Sequence, residues 1–266
     1  SCSGICRFNM NILLIPSKER AEKNYLYNQI QENNVEYKIF VEPQDYNKYI
    51  EIHDQKNIVI IEQNNMGIAY VRNSILSWAV SNNIKRYWTL DDDIGSFYHR
   101  EGTKMIKDNI NVLEKAEKQF IENDFGIYAL EYQQFAWSAG EREFSKNSYM
   151  DCCVCIDVEK AKKSNIKYRT KFALKEDRDF AMQFIKNGYE TARSTLYAFS
   201  CPKNGSNKGG LYEVYSYNDR EKETAAVKRL IEEWGDHCVK LIEKKDGRID
   251  AKIFWKKIND KQERLF

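Results

Sequence analysis

Tyr87-Trp88-Thr89-Leu90-Asp91-Asp92-Asp93-Ile94-Gly95-Ser96 is the stretch that decides the fold. Tyr87 to Leu90 reads as a short buried strand, and it delivers three carboxylates to its C-terminal end before a Gly-Ser turn. In open α/β sheets, ligands bind outside the carboxyl ends of the strands. Clustered hard oxygens at that edge suit Mg²⁺ or Mn²⁺, above all an ion that also carries phosphate oxygens. A solvated acidic turn has the same appearance, so the surrounding chain has to choose between the two. Side chains alternate along an extended chain, which puts Asp91 and Asp93 on one face and Asp92 on the other.

Upstream, strands and helices alternate. Asn11-Ile15 is an apolar strand broken by Pro16-Ser17, and Lys18 to about Asn33 reads as a helix with Ser17 as its N-cap and Arg20 in its first turn. Glu36-Val41 and Asn57-Glu62 are further strands. Gly67 leads into a helix with Ile68, Val71, Ile75 and Ala79 inward, and Tyr87-Leu90 follows. This order predicts βαβ units, an open, mainly parallel sheet flanked by helices, and hence an α/β fold of Rossmann-like type. The Gly-x-Gly-x-x-Gly fingerprint and the Gly-Lys-Ser/Thr loop are both missing, which disfavours dinucleotide enzymes and P-loop NTPases.

Downstream, a helix is expected over Lys107-Asn123, strands over Gly126-Glu131 and Tyr149-Asp157, and a loop over Trp137-Asn147. Lys175-Asn187 reads as a helix stopped by Gly188, Glu190-Phe199 as a strand, and Pro202-Gly210 as a Gly, Asn, Ser and Lys-rich loop. Asp219-Trp234 is a helix, and Val239-Lys257 a hairpin around Asp246-Gly247. There is no internal repeat. Residues 10–218 are expected to form the main domain, with 219–266 a helix and hairpin extension packed on it.

The length of 266 residues suits one large α/β domain. Lys plus Arg number 42 against 40 Asp plus Glu, a formal net charge of +2, which neither demands nor excludes a nucleic-acid partner. No apolar run approaches the roughly 20 residues of a membrane helix. Cys152 and Cys155 have Cys-x-x-Cys spacing, but no second pair completes a zinc site. Buried reduced thiols in a cytoplasmic protein are the plain expectation, and Cys152, Cys153 and Cys155 read as strand packing.

Several groups join the Asp triplet as candidates. An ion there would bridge the phosphates of a nucleotide-sugar and take up charge as the diphosphate leaves. Asp93 is the expected metal ligand; Asp91 holds the ribose, or the metal through water. His237 is the candidate further metal ligand. Glu176-Asp177-Arg178-Asp179 starts a helix, where acids are favoured for the dipole alone; a general base for an acceptor hydroxyl is the alternative, with Asp177 first and Glu176 second. A helix N-terminus should lower the pKa of that base. Lys208, Gly209 and Gly210 suit a lid over a diphosphate, though a plain flexible loop has the same composition. Pro16, Ser17 and Arg20 sit where a nucleotide contacts the first strand's edge, and Arg72 faces the diphosphate or the Asp cluster.

Together these residues resemble the GT-A class of glycosyltransferases. The likeness runs from Ile12-Leu13-Leu14-Ile15-Pro16-Ser17 through Tyr70-Val71-Arg72-Asn73 to Trp88-Thr89-Leu90-Asp91-Asp92-Asp93, and on through Lys175-Glu176-Asp177-Arg178-Asp179-Phe180 to Gly209-Gly210. The Pro-Ser-x-x-Arg opening, the Arg-Asn helix, the Asp triplet and the late Gly-Gly look more narrowly like the TET-associated glycosyltransferases, a family encoded largely by bacteriophages. The resemblance implies a UDP-sugar donor, Mn²⁺ or Mg²⁺, and an acceptor of 5-hydroxymethylcytosine or 5-hydroxymethyluracil in double-stranded DNA, in the host cytoplasm if phage-encoded. It further implies a surface for phosphate backbone, with Lys167, Arg169, Lys171, Lys203, Lys208, Lys252, Lys256 and Lys257 as candidates. The other readings are a GT-A enzyme acting on glycan, lipid or protein, a nucleotidyltransferase, and a non-catalytic nucleic-acid-binding module.

Overall fold

The structure, a computed structural model, describes residues 10–136, 140–202 and 220–259. The first half alternates as its apolar spacing predicts. Strands β1 (Leu13–Pro16), β2 (Tyr37–Val41), β3 (Ile58–Ile60) and β4 (Arg86–Leu90) are separated by helices α1 (Tyr25–Glu32), α2 (Tyr46–Ile50) and α3 (Ile68–Ser81). They form a parallel block in the order β3-β2-β1-β4.

The chain continues through the hairpin β5 (Ser96–Glu101) and β6 (Lys104–Asp108), α4 (Val112–Glu122), β7 (Ile127–Tyr132), the single turn α5 (Gln133–Ala136) and β8 (Phe144–Lys146). It goes on with β9 (Cys153–Asp157), α6 (Val158–Lys163), α7 (Glu176–Lys186) and β10 (Thr191–Ser200). The sheet extends from β4 as β9-β7-β10-β5-β6, with β8 against β10. Here β7 and β10 run parallel, and the other pairings are antiparallel. Last come α8 (Arg220–Trp234) and the hairpin β11 (Val239–Glu243) and β12 (Ile249–Ile253).

The central strands are covered on both faces, so their pattern is a run of apolar residues rather than an alternation. Leu13, Ile15 and Trp88 pack toward α1 and α4, with Leu26, Ile30, Leu113 and Phe120. Ile12, Leu14 and Tyr87 pack toward α3, α6 and α7, with Ile75, Ala79, Ala161 and Phe184. A third cluster joins Met182 and Ile185 of α7 to Val227 and Leu230 of α8 and to Ile249, Ala251 and Ile253 of β12. Gly126 lets α7 approach: a Cβ there would lie 2.4 Å from Phe184.

The largest departure from the sequence expectation lies after β1. The helix begins at Tyr25, not Lys18, and its N-cap is Asn24, whose side chain accepts from the Tyr27 backbone N–H at 3.3 Å. Ser17 is therefore not a cap and Arg20 is not helical; residues 17–24 form a loop held by polar contacts to the Asp triplet. Lys107 and Asp108 belong to β6, and the helix expected from Lys107 starts at Val112.

Candidate active site

The Asp triplet leaves β4 at the edge predicted for a ligand, and its three carboxylates have different surroundings. Asp92 is buried. Its Oδ2 accepts from Ser17 Oγ at 2.5 Å, its Oδ1 from Arg20 at 2.8 Å, and its carbonyl from Asn24 Nδ2 at 2.6 Å. Tyr49 completes the set, with its hydroxyl 2.6 Å from Ser17 Oγ and accepting the Arg20 backbone N–H at 3.1 Å. Asp92 thus fastens the 17–24 loop to the strand. Burial pushes its carboxyl up to about 6, against the pull of Arg20 and Ser17. Asp93 accepts from the same Arg20 at 3.0 Å, and Asp91 from Arg72 at 3.2 Å. The side chains of Asp91 and Asp93 are 33% and 25% exposed against 5% for Asp92, so these two open toward solvent.

Arg72, on α3, joins the two acidic clusters. One of its nitrogens reaches Asp91 and the other donates to Glu176 at 2.8 Å, across 104 residues of sequence. Glu176 is the first residue of α7 and is buried. Desolvation pushes its carboxyl up to about 7; Arg72 opposes this and Asp177 adds to it. Asp177 is half-buried, and its carboxyl is also raised, by burial first, with Arg178 opposing and Asp151 adding. The expected lowering at a helix N-terminus is reversed, because desolvation and neighbouring carboxylates outweigh the dipole.

The rest of the helix start is structural. Asp179, fully buried, accepts from Arg169 Nε at 2.9 Å and Trp234 Nε1 at 2.9 Å. Arg178 donates to Asp250 of β12 at 2.5 Å and to the Ala251 carbonyl at 3.1 Å, over the Tyr149 ring at 4.6 Å. Lys244 and Lys175 also reach Asp250, at 2.7 and 3.4 Å. Burial pushes Asp250 up, but these cations outweigh it and hold the carboxyl well below the usual range. The C-terminal helix and hairpin therefore grip both flanks of Asp177.

Sequence reasoning missed a neighbouring group. Arg193 of β10, 5% exposed, donates to Asp151 at 2.5 Å and to Glu131 at 3.1 Å. The Tyr132 hydroxyl lies 3.3 Å from Asp151 and 3.0 Å from Cys152 Sγ. The available signal was an arginine inside the otherwise uncharged strand Thr191–Ser200. Cys153 and Cys155 are buried packing, whereas Cys152 sits beside the triplet with φ +60° and its carbonyl accepts the Asp91 N–H at 2.8 Å.

Other candidates are placed as follows. Pro16 ends β1, buried, next to Ser17. His237 lies in the turn between α8 and β11, its Nδ1 buried and without a hydrogen-bond partner among the described residues, and no contact joins it to the triplet. Lys208, Gly209 and Gly210, with Lys203, fall outside the described residues. Among the described residues no group of three or more His, Cys, Asp or Glu side chains forms a metal cage. An ion that enters with a diphosphate needs only one or two protein carboxylates, and Asp91 and Asp93 are of that kind. Among the described residues five carboxylates (Asp91, Asp92, Asp93, Glu176, Asp177) gather around the guanidinium groups of Arg20 and Arg72, with Arg178 acting on Asp177. No described helix is long and apolar enough to cross a membrane.

Among solved structures, the chain is similar to S. aureus TarS 1-349 in complex with UDP-GlcNAc, with a TM-score of 0.55 and 14% identity over 84% of this chain and 67% of that one. The complex of the same fragment with UDP gives a TM-score of 0.50 and 14% identity over 71% and 59%. The chain thus spans 59% to 67% of that fragment's length, and at this identity the likeness shows the fold, of GT-A type. No curated protein matches. The family model for TET-associated glycosyltransferases matches residues 11–210, a segment that includes Ser17, Arg20, Arg72, the Asp triplet, Glu176 and Asp177 and stops before α8. That match covers most of the chain and every described residue gathered by the Arg72 bridge: the chain belongs to the TET-associated glycosyltransferase family.

Proposed function

We propose that the protein transfers a sugar from a UDP-sugar to the hydroxyl of a 5-hydroxymethylpyrimidine in DNA, with hydroxymethylcytosine the favoured base. The observation that carries this reading is Arg72, whose contacts to Asp91 and Glu176 make the strand-end acids and the helix-start acids one site. Family membership and the UDP and UDP-GlcNAc complexes of TarS support the donor; the acceptor rests on the family alone.

In this reading the donor diphosphate lies against the open side of Asp91 and Asp93, with Arg20 beside it. Asp91 and Asp93 would hold Mn²⁺ or Mg²⁺, which supplies positive charge to the departing diphosphate. Asp177 is the base. Its carboxylate takes the proton of the acceptor hydroxyl, the oxygen forms a bond to the anomeric carbon, and the carbon–phosphate oxygen bond breaks with its electron pair going to UDP. The raised pKa of Asp177 improves it as a base, since proton affinity rises with pKa. Glu176, paired with Arg72, holds that guanidinium against Asp91. The target base leaves the duplex stack, because its hydroxyl must come within about 3 Å of both base and sugar carbon.

The test is direct. Protein is incubated with UDP-sugars, Mn²⁺ and DNA containing hydroxymethylcytosine, and nucleoside masses are read. A glycosylated nucleoside supports the proposal, and transfer only to glycan or protein acceptors overturns it. The product anomer is assigned in the same experiment, since a retaining reaction does not require Asp177 as base.

A further inference from the structure

The basic residues Arg169 and Lys171, before α7, and the lysines after α8 differ in their partners. Arg169 is paired with Asp179 and Glu233, and Lys171 with Glu233, so each has a carboxylate beside it. On the terminal hairpin the reverse holds. Lys240, Lys252, Lys256 and Lys257 are exposed, and among the described residues none has a carboxylate in ion-pair range. The hairpin's own acids are otherwise engaged: Glu243 with Arg220, Asp246 with Arg248, and Asp250 with Arg178.

Three of these ammonium groups converge on one ring. Lys240, Lys252 and Lys257 stand 5.9, 5.3 and 5.3 Å from the centroid of Phe254. Lys240 and Lys252 are direct cross-strand partners. Like charges placed opposite each other destabilise a strand pair, and a ring quadrupole offsets this only in part. A local rule broken with no compensating acid among the described residues points to a ligand that supplies negative charge.

Strand alternation places this face. Ile249, Ala251 and Ile253 point into the cluster shared with α7 and α8, so Asp250, Lys252 and Phe254 share the opposite side. Asp250 grips Arg178 beside Asp177, and Lys252 follows it by two residues, about 7 Å along the strand. The basic face thus begins where the helix of the proposed base is held, and it lies beyond the segment matched by the family model.

We propose that the outer face of the β11–β12 hairpin, with Lys240, Lys252 and Lys257 around Phe254 and the exposed Lys256 next to Lys257 in sequence, binds the phosphate backbone of double-stranded nucleic acid. The choice of nucleic acid among polyanions rests on the acceptor proposed above. An anionic membrane is disfavoured because its amphipathic ligands carry an exposed apolar face, and here the one ring is ringed by charges. Backbone contacts of this kind orient a duplex without reading its sequence.

The experiment titrates the full chain with an unmodified DNA duplex, without nucleotide-sugar, at a series of salt concentrations. Wild type binds with a steep salt dependence. K240A/K252A/K257A lowers the slope of log K against log salt by about 2 to 3, because each lost phosphate contact removes about 0.9, and weakens low-salt binding at least about tenfold. Its melting temperature stays level or rises, as the Lys240–Lys252 repulsion is gone. A variant that binds with unchanged slope and affinity overturns the proposal, and so does lysine-dependent binding of phosphatidylserine vesicles with no binding of duplex. Duplex binding through these lysines without sugar transfer leaves this face standing and removes the proposed acceptor. Sugar transfer with unchanged duplex binding by the variant does the opposite.

Discussion

The two acidic clusters are built to the same plan from unlike elements. Each contains buried acids committed to a fixed partner: Asp92, held by Arg20 and Ser17, in the strand-end triplet, and Asp179, held by Arg169 and Trp234, with Glu176, held by Arg72, in the helix-start cluster. The remaining acids, Asp91 and Asp93 on one side and Asp177 on the other, keep part of their surface open. The difference lies in what anchors them. The triplet is tied to a loop close in sequence to β1, whereas the helix start is tied to an extension more than fifty residues downstream. An acid's neighbours in sequence therefore say little about its task; burial and partner decide it.

If this division of labour is correct, substitutions within one cluster should separate by task. Asp177→Asn is expected to have the largest effect, a fall in kcat of about 10³-fold with the fold intact, since positioned general bases contribute about 10² to 10⁴. Near-normal turnover by an enzyme shown to invert would reject the role. For Asp93→Ala, a loss of about 10² to 10³ in transfer is predicted, together with weaker donor binding, on the scale of removing one preorganised charge contact; unchanged donor affinity would break the metal assignment. Asp179→Ala should instead act on stability, costing about 3 kcal/mol in a urea titration, because it leaves Arg169 without its buried partner. Were it to abolish catalysis at full stability, the plan drawn here would be wrong.

The remaining predictions probe the anchoring. Asp250→Asn should lower kcat about tenfold, roughly 1.4 kcal/mol, with KM for the donor unchanged, because Arg178 is released next to Asp177 while the triplet is untouched. An equal rise in donor KM would show that the extension does not act through α7. The smallest effect concerns pH. Asp177 must be ionised to accept a proton, so activity falls as pH drops through its pKa. Burial and Asp151 hold that pKa above the ordinary carboxylate value of about 4. The acid limb of the kcat profile should lie correspondingly high, and Asp151→Asn should move it down.

Much of this molecule was legible from its residues. The parallel block could be read because β1 to β4 are short apolar runs separated by helices with one apolar stripe. The hairpin β5–β6 was not, since Phe97, Tyr98, His99 and Arg100 show no alternation that separates a strand from a loop, and β6 is largely exposed. Residues 18–24 have helical composition, yet their contacts with Asp92, some seventy residues away, override that preference. The same distance problem hides the site. Asp91, Asp93 and Asp177 could be named from local pattern, but the Arg72 bridge and the Arg193–Asp151 pair link residues that sequence spacing does not relate.

Arg72 has one more consequence. Because one guanidinium contacts both Asp91 and Glu176, a ligand charge placed beside Asp91 alters the proton affinity of Glu176. Thermodynamic reciprocity then requires the proton on Glu176 to alter that ligand's affinity by the same factor. Donor titrations at different pH and proton uptake measured during donor binding are thus two readings of a single coupling free energy, and they must agree.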